Sequence, residues 1–250
     1  MSTTPPLRLN PTLRPNAFRP VFKAHRRLHI PEVLNPASAR ALHAALTDAK
    51  SWIRSVHLQA GQDVDITMDE LNAMTEAERT ELENNLVDSS TDSVKYVFDA
   101  VRITPAIKEG RSVPEPLRAI HDFVNGRNFL ELISRITGDE RVAFADVMAT
   151  RYMPGHFATA HADELPGHRR LYAYVLNLTP EWRADWGGVL TFLDDDGHIA
   201  EGYVPKFNAL NIFEVPQTHA VSVVSRLARA PRLSVTGWIH ARQGGSSNGA

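Results

Sequence analysis

At 250 residues and 43% hydrophobic content, the chain is long enough to bury a sizeable core. Its formal charge of only -2 sets up no global field toward nucleic acid or anionic lipid, and neither is expected as a partner. There is no cysteine, which excludes disulfides, thiolate catalysis and sulfur-ligated zinc or iron-sulfur centres and leaves His and carboxylates as the strong metal ligands.

The amino-terminal sequence MSTTPPLRLNPTLRPN is polar and proline-rich and lacks the apolar stretch of a signal peptide. No later segment is long and apolar enough to span a membrane, so a cytoplasmic protein without a membrane partner is expected. The first dozen residues are expected to run extended across the surface, and GGSSNGA at the other end reads as a flexible tail. Asn35 offers a cap for an amphipathic helix over Pro36 to Arg54, with Ala, Leu and Trp52 at helical spacing. Two polar helical pieces follow between Thr67 and Val87, then a loop at Asp88 to Ser93 and a strand in KYVFDAVRI. Pro114 to Ile136 reads as a helical pair broken near Gly126.

From Val142 to His240 the pattern changes to short apolar or alternating runs: VAFADVMATRYM, RLYAYVLNLT, GGVLTFLD, ALNIFEV, HAVSVV and RLSVTGWIH. Each is bounded by Gly, Pro, Asp or Asn, as in a barrel or sandwich of short antiparallel strands. Helices first and strands second, without alternation, predict a mainly β, α+β domain. The polar helical half cannot bury a core alone, so a single domain over 1–250 is expected, with 1–140 as helical support, 141–242 as the β core and 243–250 as the tail.

His161-Ala162-Asp163 is followed much later by His219 in PQTHAVSVV. Residues two apart on a strand share a face, so His161 and Asp163 can reach one ion together, and His219 from another strand completes the triangle. Two imidazoles and a carboxylate on one face of an octahedron leave positions open, the arrangement associated with non-haem iron(II) oxygenases, although zinc is chemically compatible as well. In PRLSVTGWIH, Arg232, Ser234, Thr236 and Trp238 alternate with Leu233, Val235, Gly237 and Ile239, so both faces of the strand can be buried. A buried Arg232 needs a partner. The distal carboxylate of an oxoacid, assisted by the Ser234 hydroxyl, is one candidate, and an Asp or Glu of the chain itself is the other.

Together RYMPGHFATAHADE, RRLYAYVLNLTPEW, WGGVLTFLDDD, VPKFNALNIFEV, THAVSVV and RLSVTGWIH resemble the prolyl-hydroxylase branch of the 2-oxoglutarate and iron(II) dioxygenases. The likeness is greatest to the catalytic domain of the ribosomal-protein prolyl hydroxylases and smaller to the hypoxia-sensing ones. It implies a double-stranded β-helix, or jelly roll, with His161, Asp163 and His219 as catalytic metal ligands and Arg232 as the oxoacid anchor. It also implies an oxoacid contact from Tyr152, and a second from Tyr174, although several relatives place theirs one position along, at Val175 here. Gly187 and Gly188 match paired glycines before a strand and read most simply as a tight turn. Ribosomal-protein hydroxylases carry a second β domain, whereas this sequence stops soon after His240, and the helical half matches weakly, so substrate choice is not inherited.

The implied cofactors are Fe(II), 2-oxoglutarate and O2, with ascorbate as supporting reductant and succinate and CO2 as products. A prolyl residue of a protein or peptide is the expected substrate, with a free amino acid or small metabolite as the rival. Asp88 to Ser93 and the KYVFDAVRI that follows form a candidate lid, and Arg169 with Arg170 a candidate basic surface for an acidic partner. Outside this class stand a non-catalytic, cupin-like metal-binding module, which has no need of Arg232, and a zinc hydrolase with Glu164 as general base.

Overall fold

In a computed structural model of the chain, the described residues are 6–58, 62–87, 94–164 and 170–242. The first half begins with helix α1 (Pro15–His25), strand β1 (Arg27–Ile30) and helix α2 (Pro36–Asp48). The predicted cap is present, with Asn35 Oδ1 accepting from Ser38 N at 2.8 Å. The helix stops before Trp52, however, because Ile53 already opens a hairpin of β2 (Ile53–Leu58) and β3 (Gln62–Thr67). Two short helices follow, α3 (Met68–Ala73) and α4 (Glu76–Val87), then strand β4 (Tyr96–Arg102) and helices α5 (Ile103–Lys108), α6 (Glu115–Val124) and α7 (Arg127–Thr137). The second half is built of β5 (Val142–Ala145), β6 (Met148–Tyr152), β7 (Phe157–His161), β8 (Arg170–Asn177), β9 (Leu190–Leu193), β10 (Ile199–Tyr203), β11 (Ala209–Glu214), β12 (His219–Val221) and β13 (Arg232–Ala241).

The described strands form one antiparallel sheet in the order β1-β11-β8-β13-β6-β4-β7-β12-β9-β10, with β5 beside β13 and the β2-β3 hairpin beside β4. Strand β4 makes the bend, because Asp99 to Arg102 pair with β6 whereas Tyr96 and Val97 pair with β7. The two ends of the order also meet: Arg27 of β1 bonds Glu201 of β10 at 2.5 Å, and the rings of His29 and Tyr203 lie 5.5 Å apart. The sheet is therefore rolled almost closed, a jelly roll braced by helices, as the sequence predicts.

One face of the sheet, carrying Tyr172, Tyr174, Leu176, Val235 and Ile239, packs against Leu42, Leu46, Ile120, Phe129 and Ile133 of the helices. Each such side chain removed from water stabilises the fold by about 1.5–3 kcal/mol. The opposite face turns Tyr152, Ala173, Phe213, Leu190 and Phe192 into the interior of the roll. The expectation of a first half that is helical apart from the strand in KYVFDAVRI is corrected here, since β1, β2 and β3 also supply strands to the same sheet. KYVFDAVRI is likewise a central strand rather than part of a lid, while Asp88 to Ser93, Arg169 and the tail from 243 lie outside the described residues. At the amino end Leu9 bridges Leu34, and α1 begins at Pro15, just past the first dozen residues. No described helix is long and apolar enough to cross a membrane.

Candidate active site

His161 closes β7, His219 opens β12, and the two are directly paired across the strands. That register sets their ring centroids 4.2 Å apart. Asp163 joins them by a route that strand alternation did not foresee. It lies beyond the end of β7 in the left-handed region, φ 59°, and this turn swings the carboxylate back toward both rings. Oδ1 lies 3.5 Å from His161 Nε2 and Oδ2 lies 3.4 Å from His219 Nε2. One donor atom from each of the three residues falls within a 4.8 Å span. Bonds of about 2.1 Å to a divalent cation bring adjacent donors to about 3 Å, so a small contraction closes the triad on an ion.

The second nitrogens fix the tautomers. His161 Nδ1 faces Thr159 O at 2.7 Å and His219 Nδ1 faces Gln217 O at 2.8 Å. A carbonyl accepts, so each Nδ1 carries the proton and each Nε2 presents its lone pair to the gap. Burial pushes His219 down to about 4, which keeps it neutral and ready to ligate. Burial acts on Asp163 in the opposite sense, but its contacts with the rings of His161 and His219, whenever these take up a proton, hold its carboxyl below the ordinary range. The same Asp163 contact outweighs burial at His161 and raises it.

Arg232 opens β13 on the inward face and is 2% exposed. Its Nε has no hydrogen-bond partner, and among the described residues no carboxylate pairs with it. The guanidinium lies 5.1 Å from the Tyr152 ring centroid, and burial lowers its affinity for its proton. Ser234, two residues on, shares a 2.7 Å hydroxyl contact with Thr150. Gly188 (φ 61°) lets the backbone approach this arginine, since a Cβ there would meet Arg232 Cδ at 3.0 Å. Arg232, Ser234, Tyr152 and the His-Asp-His triad all line one cavity of about 540 Å³.

Tyr174 does not join them. Its side chain lies on the helical face, fully buried against Phe129, and its hydroxyl donates to Asp146 O at 2.8 Å. Ala173 and Val175, on either side of it in β8, line the cavity instead. Both faces of this strand are buried, so alternation alone could not choose between the two registers.

Several lining residues escaped the sequence reading. Tyr96 and Phe98 reach in from β4, stacked in series with Tyr152 at centroid separations of 5.2 and 5.3 Å. Their signal was the alternation within YVFDAVR. Trp238 forms another wall, and Arg170 lines the cavity rather than the open surface expected of a basic pair. Glu164 is an exposed lining residue.

Residues 147–240, the segment that holds the whole triad and Arg232, match the model of the 2OG-Fe(II) oxygenase superfamily. The relatives are narrower in kind. Over 120 residues, 45% of the chain, it is 37% identical to prolyl 3-hydroxylase OGFOD1 of Xenopus laevis and 32% identical to that of Mus musculus. The match spans only 23% and 22% of those two proteins. Among solved structures, a Pseudomonas putida prolyl-4-hydroxylase superposes with a TM-score of 0.57 at 18% identity, covering 92% of this chain and 100% of that one. A Trichoplax adhaerens prolyl hydroxylase in complex with a hypoxia inducible factor peptide gives 0.56 at 16% identity, covering 91% and 89%. At such identities the likeness is one of fold. The chain is thus similar in sequence to prolyl hydroxylases over the matched stretch, and similar in fold to these two structures.

Proposed function

We propose that the chain is an Fe(II)- and 2-oxoglutarate-dependent dioxygenase that hydroxylates a prolyl residue of a protein or peptide. The observation that carries this reading is the pairing, in one cavity, of a convergent His161-Asp163-His219 triad with a buried Arg232 that has no carboxylate partner among the described residues. A site for metal alone has no use for an uncompensated guanidinium. A dicarboxylic oxoacid that reaches the metal at one end and the arginine at the other accounts for both features.

The residues fit the groups this reading requires. His161 Nε2, His219 Nε2 and the Asp163 carboxylate form the donor set for Fe(II), two imidazoles and one carboxylate. Arg232 takes the distal carboxylate of 2-oxoglutarate with its guanidinium, and Ser234 and Thr150 add hydroxyls from neighbouring strands. Tyr152, whose phenol is kept neutral by burial, closes this end of the cavity and can donate its O–H to the same carboxylate. When bound, iron(II) and the oxoacid would activate O2, which is the oxidant: one of its atoms would enter succinate as 2-oxoglutarate loses CO2, and the other would become the hydroxyl on the former C–H bond. The chain's own part is to orient both reactants and exclude water, which the apolar walls of Val175, Phe213, Leu190 and Val221 do. On the open side Tyr96, Phe98 and Trp238 offer flat apolar surfaces suited to a pyrrolidine ring. A peptide substrate is favoured by the relatives' names and by this aromatic entrance.

Succinate formation from 2-oxoglutarate, measured with Fe(II) and ascorbate, tests the proposal. The wild type is expected to release succinate, more so with a proline-containing peptide, and Asp163→Ala and His161→Ala are expected to release none while remaining folded. Undiminished turnover in either variant overturns the assignment.

A further inference from the structure

Asp163 poses a physical question that its neighbours in sequence do not answer. A non-glycine residue at φ 59° gives up about 1–2 kcal/mol relative to the right-handed or extended regions, so a contact elsewhere must hold it there. The backbone carbonyl of Asp163 accepts a 3.0 Å hydrogen bond from Arg170 Nη1. Arg170 in turn is seated by its surroundings, with its guanidinium carbon 3.6 Å from the centroid of the Trp238 indole. Its Nε is buried without a partner, and it lies in the fields of two carboxylates, Asp163 on one side and Asp146 on the other.

Asp146 is itself fixed. Its backbone N–H donates to Trp238 O at 2.9 Å, its carbonyl accepts from the Tyr174 hydroxyl, and its carboxylate holds His240 at 2.6 Å with Lys108 at 3.7 Å. Gly237 permits this approach, because a Cβ at that position would fall 1.9 Å from Asp146 O. The seat therefore runs from the helical face through β13 to the guanidinium. The buried indole N–H of Trp238 completes no hydrogen bond.

We propose that Arg170 is a positioning residue for the metal site. By bonding the Asp163 carbonyl from its place on Trp238, it holds the Asp163 carboxylate toward both histidines. The proposal rests on the metal-binding role assigned above to His161, Asp163 and His219. It gives Arg170 a task that neither a solvated surface cation nor a contact for substrate alone would perform. The planar fork of arginine suits it, since one edge can donate while the face stacks, and lysine can do only the first.

The test is Mn(II) binding to the substrate-free protein, followed by the electron paramagnetic resonance of free Mn(II), in wild type, Arg170→Gln, Arg170→Lys and His161→Ala. Thermal melting of each metal-free form shows that all are folded at the titration temperature. Removing an outer partner of a metal ligand typically weakens metal affinity about 10–100-fold, and that loss is expected for both Arg170 variants. The visible spectrum of the Co(II)-substituted variants is expected to change as well, a signature that a general loss of stability would not produce. Wild-type Mn(II) affinity in Arg170→Gln overturns the positioning role, whether its melting temperature falls or its only defect is in peptide KM. Should the wild type bind no Mn(II) that His161→Ala abolishes, the triad reading fails together with the inference.

Discussion

Replacing Arg232 by methionine is expected to stabilise the ligand-free protein while destroying its response to 2-oxoglutarate. The guanidinium is 2% exposed, its Nε is unpartnered, and the Tyr152 ring at 5.1 Å is its main compensation. A buried ion costs several kcal/mol after relaxation, and a desolvated cation-π contact returns about 2 kcal/mol. Methionine fills a similar space without charge, so the net gain is about 2 kcal/mol. For a chain of this size each kcal/mol moves the midpoint by about 2–4 °C, giving a rise of about 4–8 °C. Saturation with 2-oxoglutarate at about 100 times Kd stabilises the wild type by about 2.7 kcal/mol. A thioether cannot hold the distal carboxylate, so the Arg232→Met variant gains far less. Anaerobic thermal melting with Mn(II), with and without 2-oxoglutarate, should therefore invert the order of the two proteins. If the variant melts below the wild type without ligand, the arginine is not an uncompensated charge, and the argument for an awaited diacid fails.

His156 is expected to make the fold acid-sensitive, over a window it shares with His219. Its Nδ1 is buried without a partner, and burial, assisted by the charge of Arg54, pushes it down to about 4 from an ordinary 6.5. Below pH 6.5 the unfolded chain takes up a proton that the folded one refuses, so stability is full above 6.5 and falls until the folded value is passed. The loss amounts to about 3 kcal/mol. Urea midpoints between pH 7.5 and 4.5 should fall more steeply for the wild type than for His156→Gln, and equal slopes would contradict the assignment. Tyr174→Phe should cost about 1 kcal/mol through its lost bond to Asp146 O and leave the KM for 2-oxoglutarate unchanged. A raised KM would return Tyr174 to the oxoacid.

Legibility of the fold in the sequence followed burial. RLSVTGWIH was readable because its two faces differ in chemistry, polar toward the cavity and apolar toward the helices, and the strand forms with that division. RLYAYVLN is apolar on both faces, so its strand character was legible but the direction of Tyr174 was not. Strand β10 has the opposite problem, because its residues are mostly exposed and carry no apolar alternation to detect. Strands β2 and β3 pair with each other and carry Ser, His and Asp that bond across the hairpin, as Ser55 Oγ does with Asp65 and His57 Nδ1 with Asp63, each at 2.6 Å. Such cross-strand bonding replaces the hydrophobic signal. In the cavity the triad was identified although the geometry imagined for it was incomplete, since a left-handed residue leaves no mark in a sequence when it is Asp rather than Gly. Arg170 was missed for a related reason. Its role comes from Trp238, far along the chain and adjacent only once β8 and β13 are paired.

The central claim is that three side chains grip one ion beside an arginine that receives a diacid. A crystal of the Mn(II)-substituted protein grown anaerobically with 2-oxoglutarate, with data collected near the manganese absorption edge, tests it most directly. One anomalous peak is expected about 2.1 Å from His161 Nε2, His219 Nε2 and an Asp163 oxygen, with the far carboxylate of the oxoacid on the Arg232 guanidinium. A peak elsewhere, or an oxoacid bound away from Arg232, would contradict it.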